Sequence, residues 1–513
     1  MLLSKITTPT GGISAVVGDD KSRVQPAMVN ERIPLIELAG IGTIGDVVAL
    51  ADRSAEVSVS ADVVDAVRRM HQQAADLSTR FATYGRTTGV GANRLVPVPA
   101  DDPEFGMRLL RSHAVDAGDP LADRTVRSML AVRLIQLCVP GAGLDPTILD
   151  GLVRMLNDNA LPQLLQYASI GTGDLAALAG TALTLIGERP ATATLTPMPP
   201  WGADSALPFM SSSALTVGRS CLAADELRRL ERASSVIYLL SFLGLDGNPS
   251  ALSAGAARAA AATQVEAVAA RLRTLLTDDR RPHRDPARIQ DPYGLRVYPV
   301  SQGSVVASVD SLVAQLERTM NAAQENPLFD VDGDEVIHHG AFYQASLSLE
   351  LDGATLALAL TAPITHSRIR MLNDPDTNGG NAFLATGPDG SSGLMMVEYV
   401  AAGAIAEIRN AAQPASVGTL VLSRGSEEDA TFASQGALQL ERSVAAYRVL
   451  LCCELVGAVR LLRQRGLEDR FAGALGEALA IADALPRNDE DRDLRGDIAT
   501  ADLLLDDLGR LVD

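Results

Sequence analysis

Apolar residues recur at helical spacing along most of this chain. Val309, Leu312, Val313, Leu316 and Met320 fall three or four positions apart, which is one face of a helix, and 305–324 is predicted helical. Leu175 to Ile186 is a run of apolar helix formers opened by Asp174, an acidic residue suited to free N–H groups and the helix dipole. Helical patterns recur from about 119 to 186, with short breaks at Pro140-Gly141 and Pro162. Gly255 to Leu276 is Ala-rich with charges at intervals and predicts a buried or interface helix. Glu427 to Arg465 predicts one very long helix, or two. One segment has the other period: Ala345, Leu347, Leu349 and Leu351 alternate with Ser346, Ser348, Glu350 and Asp352. Period alone makes that a strand; the helical patterns around it override the period.

The breaks organise the rest. Residues 1 to about 30 carry little periodicity, and Gly85, Gly89 and Gly91 make 84–94 a loop. Five prolines between 188 and 213 predict a boundary or a long crossing loop. A second break runs from Thr277 to Gly303. We therefore expect an N-terminal domain over 1–200 and a central long-helix bundle with C-terminal helices over 201–513.

Composition narrows the function. The chain has 513 residues, 47% of them hydrophobic, enough for a large core. Its net charge of -19 repels nucleic acid and anionic membranes, so neither is expected as a partner, and an anionic substrate would need a local cationic clamp. Cys138, Cys221, Cys452 and Cys453 lack CxxC spacing, and the six histidines show no ligand pattern. No metal is expected, and the cysteine usage fits a reducing cytoplasm. We see no signal peptide and no uninterrupted apolar run of about 18 residues.

The chemistry-bearing motifs are spread widely. Ser169-Ile170-Gly171-Thr172-Gly173-Asp174-Leu175-Ala176-Ala177-Leu178 puts a hydroxyl residue between two glycines ahead of a helix. Upstream lies Tyr84-Gly85-Arg86-Thr87-Thr88-Gly89-Val90-Gly91. Downstream come Gln290-Asp291-Pro292-Tyr293-Gly294-Leu295-Arg296, then Asn326-Pro327-Leu328, Gly340-Ala341-Phe342-Tyr343-Gln344, and Ser423-Arg424-Gly425-Ser426-Glu427-Glu428. Taken singly, each has a structural reading: a Gly-rich turn, a hinge tyrosine, a surface Arg296 paired with Asp291, and an acidic helix start at Glu427.

Taken together, over roughly residues 30 to 465, they resemble the aromatic amino acid and histidine ammonia-lyases. That family carries Ala-Ser-Gly before Asp-Leu-Ala-Pro-Leu, and the triplet cyclises and dehydrates into an electrophilic methylidene-imidazolone. Here the triplet reads Gly171-Thr172-Gly173. Gly173 offers the unhindered nitrogen that cyclisation needs, but dehydrating Thr172 would leave a methyl on the carbon to be attacked. The resemblance implies an all-α fold of the ammonia-lyase/fumarase-like type with a long central bundle, assembled as a homotetramer whose sites draw on several subunits. The same helical expectation applies to 345–352. It implies no external cofactor, only an autocatalytic imidazolone from residues 171–173.

The resemblance also implies roles. Tyr84 is the base that removes a proton beta to a carboxylate, Arg296 clamps that carboxylate, and Tyr293 sits over the electrophile as an acid or hydrogen-bond donor. Gln290 and Asn326 stand unchanged in their motifs. Ser211 falls where the family has an asparagine, Tyr343 replaces a selectivity residue, and Glu427 stands where histidine-type members carry a pocket glutamate. The implied function is elimination or addition across Cα–Cβ of a small amino-acid-like carboxylate. The alternatives are electrophile-free acid–base chemistry (dehydration, isomerisation or cyclisation in specialised metabolism) and a non-catalytic member that binds a ligand or partner.

Overall fold

A computed structural model describes residues 33–99, 102–282 and 286–512; the aperiodic segment 1–30 and His283 lie outside the described residues. The architecture is all-α. Five long helices form the bundle: Ala214–Gly244, Tyr298–Met320, Ala345–Asn373, Met395–Ala411 and Ala433–Gln464. Ala433–Gln464 lies between three of them, packing on Ala214–Gly244, Ala345–Asn373 and Met395–Ala411. The N-terminal helices join through Asp123–Leu137, buried along almost its whole length against Ala214–Gly244. One contiguous apolar core runs from Leu38 to Leu508. The strands are short trims: Leu35–Leu38 parallel to Glu56–Val59, Ala117–Pro120 antiparallel to Leu165–Tyr167, and Leu328–Asp330 antiparallel to Glu335–Ile337.

Leu175–Ile186 is a helix buried on every side, as predicted. Ala345–Asn373 is helical despite its alternating start. Its buried Leu347, Leu351, Ala354 and Leu358 fall at helical spacing, while Leu349 faces outward. With its lead-in from Ala341, this helix is long and apolar enough by composition to cross a membrane, a stretch that a search for uninterrupted apolar runs misses. Its polar side chains are nonetheless used inside the protein: Asp352 accepts hydrogen bonds from the Ala415 and Ser416 amides at 2.9 and 3.1 Å.

Four expectations are corrected. Gly255–Leu276 is two helices, Ala254–Ala259 and Thr263–Leu276, separated at Ala261 with φ 53°. Alanine propensity would carry the helix through, but packing overrides it: Gly303 seats the second helix so closely that a Cβ there would lie 2.6 Å from Val265 Cγ2. The bundle helix predicted over 305–324 starts earlier, at Tyr298, with Pro299 in its first turn, and ends at Met320. Glu427 opens no helix; the helix starts at Ala433, after Phe432 turns the chain at φ 53°. Asp174 stands at the N-cap of Leu175–Ile186 but makes no capping hydrogen bond. Its carboxylate instead accepts from the Thr216 amide and hydroxyl at 2.8 and 3.0 Å.

Because Gly303 lets two helices touch, Gly303→Ala should cost about 1–3 kcal/mol through overpacking, read as a lower denaturation midpoint with an unchanged slope.

Candidate active site

The Gly-rich turn is held from both sides. Ser169 Oγ accepts from the Gly171 amide at 3.1 Å and donates to the Gly173 carbonyl at 3.3 Å, bridging the triplet. From the start of the Ala433–Gln464 helix, the Phe432 amide donates to Ile170 O at 2.9 Å. Ser434 Oγ and Gln435 Nε2 donate to Ser169 O at 3.2 and 3.0 Å. Gly171 has φ 99°, and a Cβ on it would lie 2.4 Å from the Ala433 nitrogen. Only glycine meets both conditions. Thr172 is half-buried at the crest of this turn.

The tyrosine loop closes on the same region. Gly85 takes φ 73°, and a Cβ there would meet Leu207 Cδ2 at 2.1 Å. Arg86 is buried and donates to the Gly143 and Asp204 carbonyls at 2.8 and 2.9 Å; burial pulls its guanidinium down to about 10. Tyr84 Oη accepts a 2.6 Å hydrogen bond from the Gly91 amide, and its own amide donates to His338 Nε2 at 3.3 Å. Burial raises the Tyr84 phenol above its ordinary value of 10.0. The Gly91 amide and Arg94 pull it down, Glu427 pushes it up, and the net shift is upward. The resting phenol is therefore neutral. Ser423 Oγ accepts from the Ala92 amide at 3.0 Å, holding the loop under a turn in which Ser423, Arg424 and Gly425 have φ 52°, 56° and 79°.

A third segment forms the floor. The Asn326 amide donates to Ser211 Oγ at 3.1 Å, and Asn326 Oδ1 accepts from the His339 amide at 3.1 Å. His339 Nε2 lies 2.8 Å from Glu325 O. Glu325 forms a fully buried ion pair with Arg133 at 2.8 Å, and Arg133 also donates to Phe209 O at 3.0 Å and Pro208 O at 2.5 Å. Beside this floor, Tyr343 Oη donates to Asp429 at 3.3 Å. One chain therefore assembles Tyr84, the 171–173 turn, Ser211, Asn326, Tyr343 and Glu427 through linked contacts. His338, Ser423, Asp429 and Gln435 join them; adjacent histidines and an acidic run were the sequence signals available for two of these.

Arg296, Tyr293 and Gln290 are elsewhere. Gly294 lies against Ser367 and Arg368, near the C-terminal end of the Ala345–Asn373 helix. Ser348, near its N-terminal end, donates to Thr431 O at 2.7 Å, beside the triplet. Twenty residues at 1.5 Å rise separate the two places by about 30 Å. Arg296 forms no ion pair with Asp291, which accepts from Arg288 at 2.7 Å instead. Arg296 donates to Gln290 at 3.1 Å and stacks over the Tyr293 ring at 4.8 Å, and Tyr293 is 62% exposed. Arg296 has no carboxylate partner among the described residues.

An all-helical bundle with a Gly-turn-helix and a tyrosine loop at one end defines a lyase-type fold, and the comparisons agree. The aromatic amino acid lyase family profile matches residues 43–483. Histidine ammonia-lyase from Symbiobacterium thermophilum is 31% identical over 495 residues, spanning 91% of this chain and 96% of that one. Among solved structures, ergothionase, the ergothioneine-degrading enzyme of Treponema denticola, superposes with a TM-score of 0.85 at 23% identity over 93% of this chain and 99% of that one. Tyrosine aminomutase from Streptomyces globisporus superposes with 0.86 at 21% over 93% and 98%. The chain belongs to the aromatic amino acid lyase family and is a carbon–nitrogen lyase-type enzyme. That family eliminates across Cα–Cβ of amino-acid substrates.

The family's serine-derived group does not fit the residues present. Gly173 has room around it, a Cβ built there lying 3.8 Å from Leu175 Cγ. Thr172, however, retains its own methyl on dehydration and yields no methylidene carbon. Gly171→Ala, which restores the family residue, should be strained by both φ and the Ala433 amide and lose about 1–3 kcal/mol, measured by thermal unfolding.

Proposed function

We propose that this enzyme performs elimination, or the reverse addition, across Cα–Cβ of a small amino-acid-like carboxylate by acid–base chemistry with Thr172 unmodified. The site is completed by a second copy of the chain. Tyr84 takes the proton from Cβ, the C–H pair becomes the Cα=Cβ bond, and the group on Cα departs with its bonding pair and is protonated from Tyr293. Arg296 clamps the carboxylate through two parallel hydrogen bonds.

The observation that carries this reading is the about 30 Å between the two halves along one helix. Tyr84 lies at one end, Arg296 and Tyr293 at the other, and among the described residues no carboxylate pairs with Arg296. A head-to-tail neighbour brings the ends together. Apolar side chains on that helix and the one packed beside it support self-association: Leu349, Leu360 and Tyr399 are 64%, 63% and 65% exposed. A tetramer of the family type would satisfy this geometry, and the free cysteines support a reducing, cytoplasmic setting.

Peptide mapping across 165–180 tests the unmodified state, and a deficit of two water molecules would overturn it. Ammonia release or product absorbance with L-histidine, L-tyrosine, L-phenylalanine and ergothioneine tests the substrate class. Tyr84→Phe should abolish turnover; unimpaired turnover would remove Tyr84 from the mechanism.

The pH dependence follows from the phenol. The active base is the phenolate, so the rate rises with pH and its limb lies above the ordinary tyrosine value of 10.0. Glu427 raises the phenol, so Glu427→Gln should move the limb to lower pH. A limb that stays put in the pH–rate profile would place Glu427 outside the electrostatics of Tyr84.

A further inference from the structure

The Tyr293–Arg296 turn is gripped from within the bundle. Arg368 Nη1 donates to the Gly294 carbonyl at 3.1 Å, and Tyr238 Oη donates to the Leu295 carbonyl at 2.9 Å. Both donors are fully buried. Arg368 is held in turn by a bidentate pair with Glu454, at 2.6 and 2.7 Å. Glu454 also accepts from Ser241 Oγ at 2.8 Å. The guanidinium carbon lies 5.3 and 5.1 Å from the ring centroids of Tyr238 and Tyr298, which stack on each other at 4.0 Å.

Gly294 makes the grip close. A Cβ there would lie 3.0 Å from Ser367 Oγ and 3.2 Å from the Arg368 nitrogen. Any side chain there would require Ser367 or the Arg368 backbone to give way. A buried ion pair of this kind is weak evidence for stability, since apolar replacements are often as stable. Two directed hydrogen bonds to consecutive carbonyls, by contrast, fix where the next side chain points.

We propose that Arg368, locked by Glu454 and assisted by Tyr238, is a positioning residue that holds Arg296 at the bundle surface in the orientation needed to clamp a carboxylate. The proposal rests on the reading of Arg296 as that clamp. Arg296 is half-buried, stacked on Tyr293 and bonded to Gln290; its backbone is fixed because its turn is tied to three long helices through groups that cannot reach water. Arg368 touches no substrate and acts only through the turn.

The test uses the full chain. Arg368→Met/Glu454→Leu replaces the buried pair with apolar side chains and avoids an orphaned charge; Tyr238→Phe removes only the Leu295 hydrogen bond. Hydrogen exchange across 293–297 should become about tenfold faster in the double variant, and less so in Tyr238→Phe, with protection of Ala433–Gln464 unchanged. For the amino acid turned over in the four-substrate screen, KM should rise about tenfold, with a smaller fall in kcat because Tyr293 sits on the same turn. In an Arg296→Lys background the same changes should add nothing further to KM.

Unchanged exchange in both variants would overturn the proposal, as would a KM effect that persists undiminished in the Arg296→Lys background. If Arg296→Lys alone leaves KM unchanged, the clamp reading fails and the proposal falls with it. That failure is visible whatever the exchange data show.

Discussion

The close approach of the 169–173 backbone to the first residues of the Ala433–Gln464 helix is the contact on which the site depends. It joins segments more than 260 positions apart through the Ile170 carbonyl, the Ser169 carbonyl and three donors from 432–435. The approach is tight enough that a single methyl at Gly171 would collide with backbone. Half-buried backbone groups of this kind need partners, and here the partners are supplied across the whole fold. The tyrosine loop, the 423–427 turn and the Asn326 floor then close around a point already set.

Electrostatics at that point favour the neutral forms of its acids. The interior raises both Asp174 and Tyr84, in each case mainly by burial. Asp174 is held by Thr216, where it braces the turn against the Ala214–Gly244 helix. Tyr84 receives one amide hydrogen bond and feels Arg94 and Glu427 in opposite directions. Thr172 carries a methyl that the family's serine lacks, and proton transfer and carboxylate recognition are what these side chains themselves offer.

Much of this was legible in the linear chain. The Leu175–Ile186 helix followed from its apolar run, the central bundle from the family resemblance, and Tyr84, the triplet and Arg296 were singled out by their motifs. Where the reading failed, a distant contact had overridden a local preference. Ala261 breaks an alanine-rich helix because Gly303 draws Val265 close. Glu427 is pulled out of a good acidic helix start, because the backbone at 422–432 is spent on a bridge to Leu422 and the bond to Ile170. His338 and Ser423 meet the tyrosine loop through backbone amides of Tyr84 and Ala92, for which no side-chain pattern is required.

By itself the sequence determined the helical class and the loops, because those follow from periodicity and from glycine and proline placement; the candidate chemical groups came from the motifs it shares with the family. Tertiary structure alone decided which groups meet. It put Thr172, Tyr84 and Asn326 at one end of the Ala345–Asn373 helix and Arg296 at the other, gave Arg296 no carboxylate among the described residues, and tied its turn to the buried Arg368–Glu454 pair. The physical reason is that motif spacing records only order along the chain, whereas separation in space is set by the length of a rigid helix and by the buried polar groups that must find partners across it.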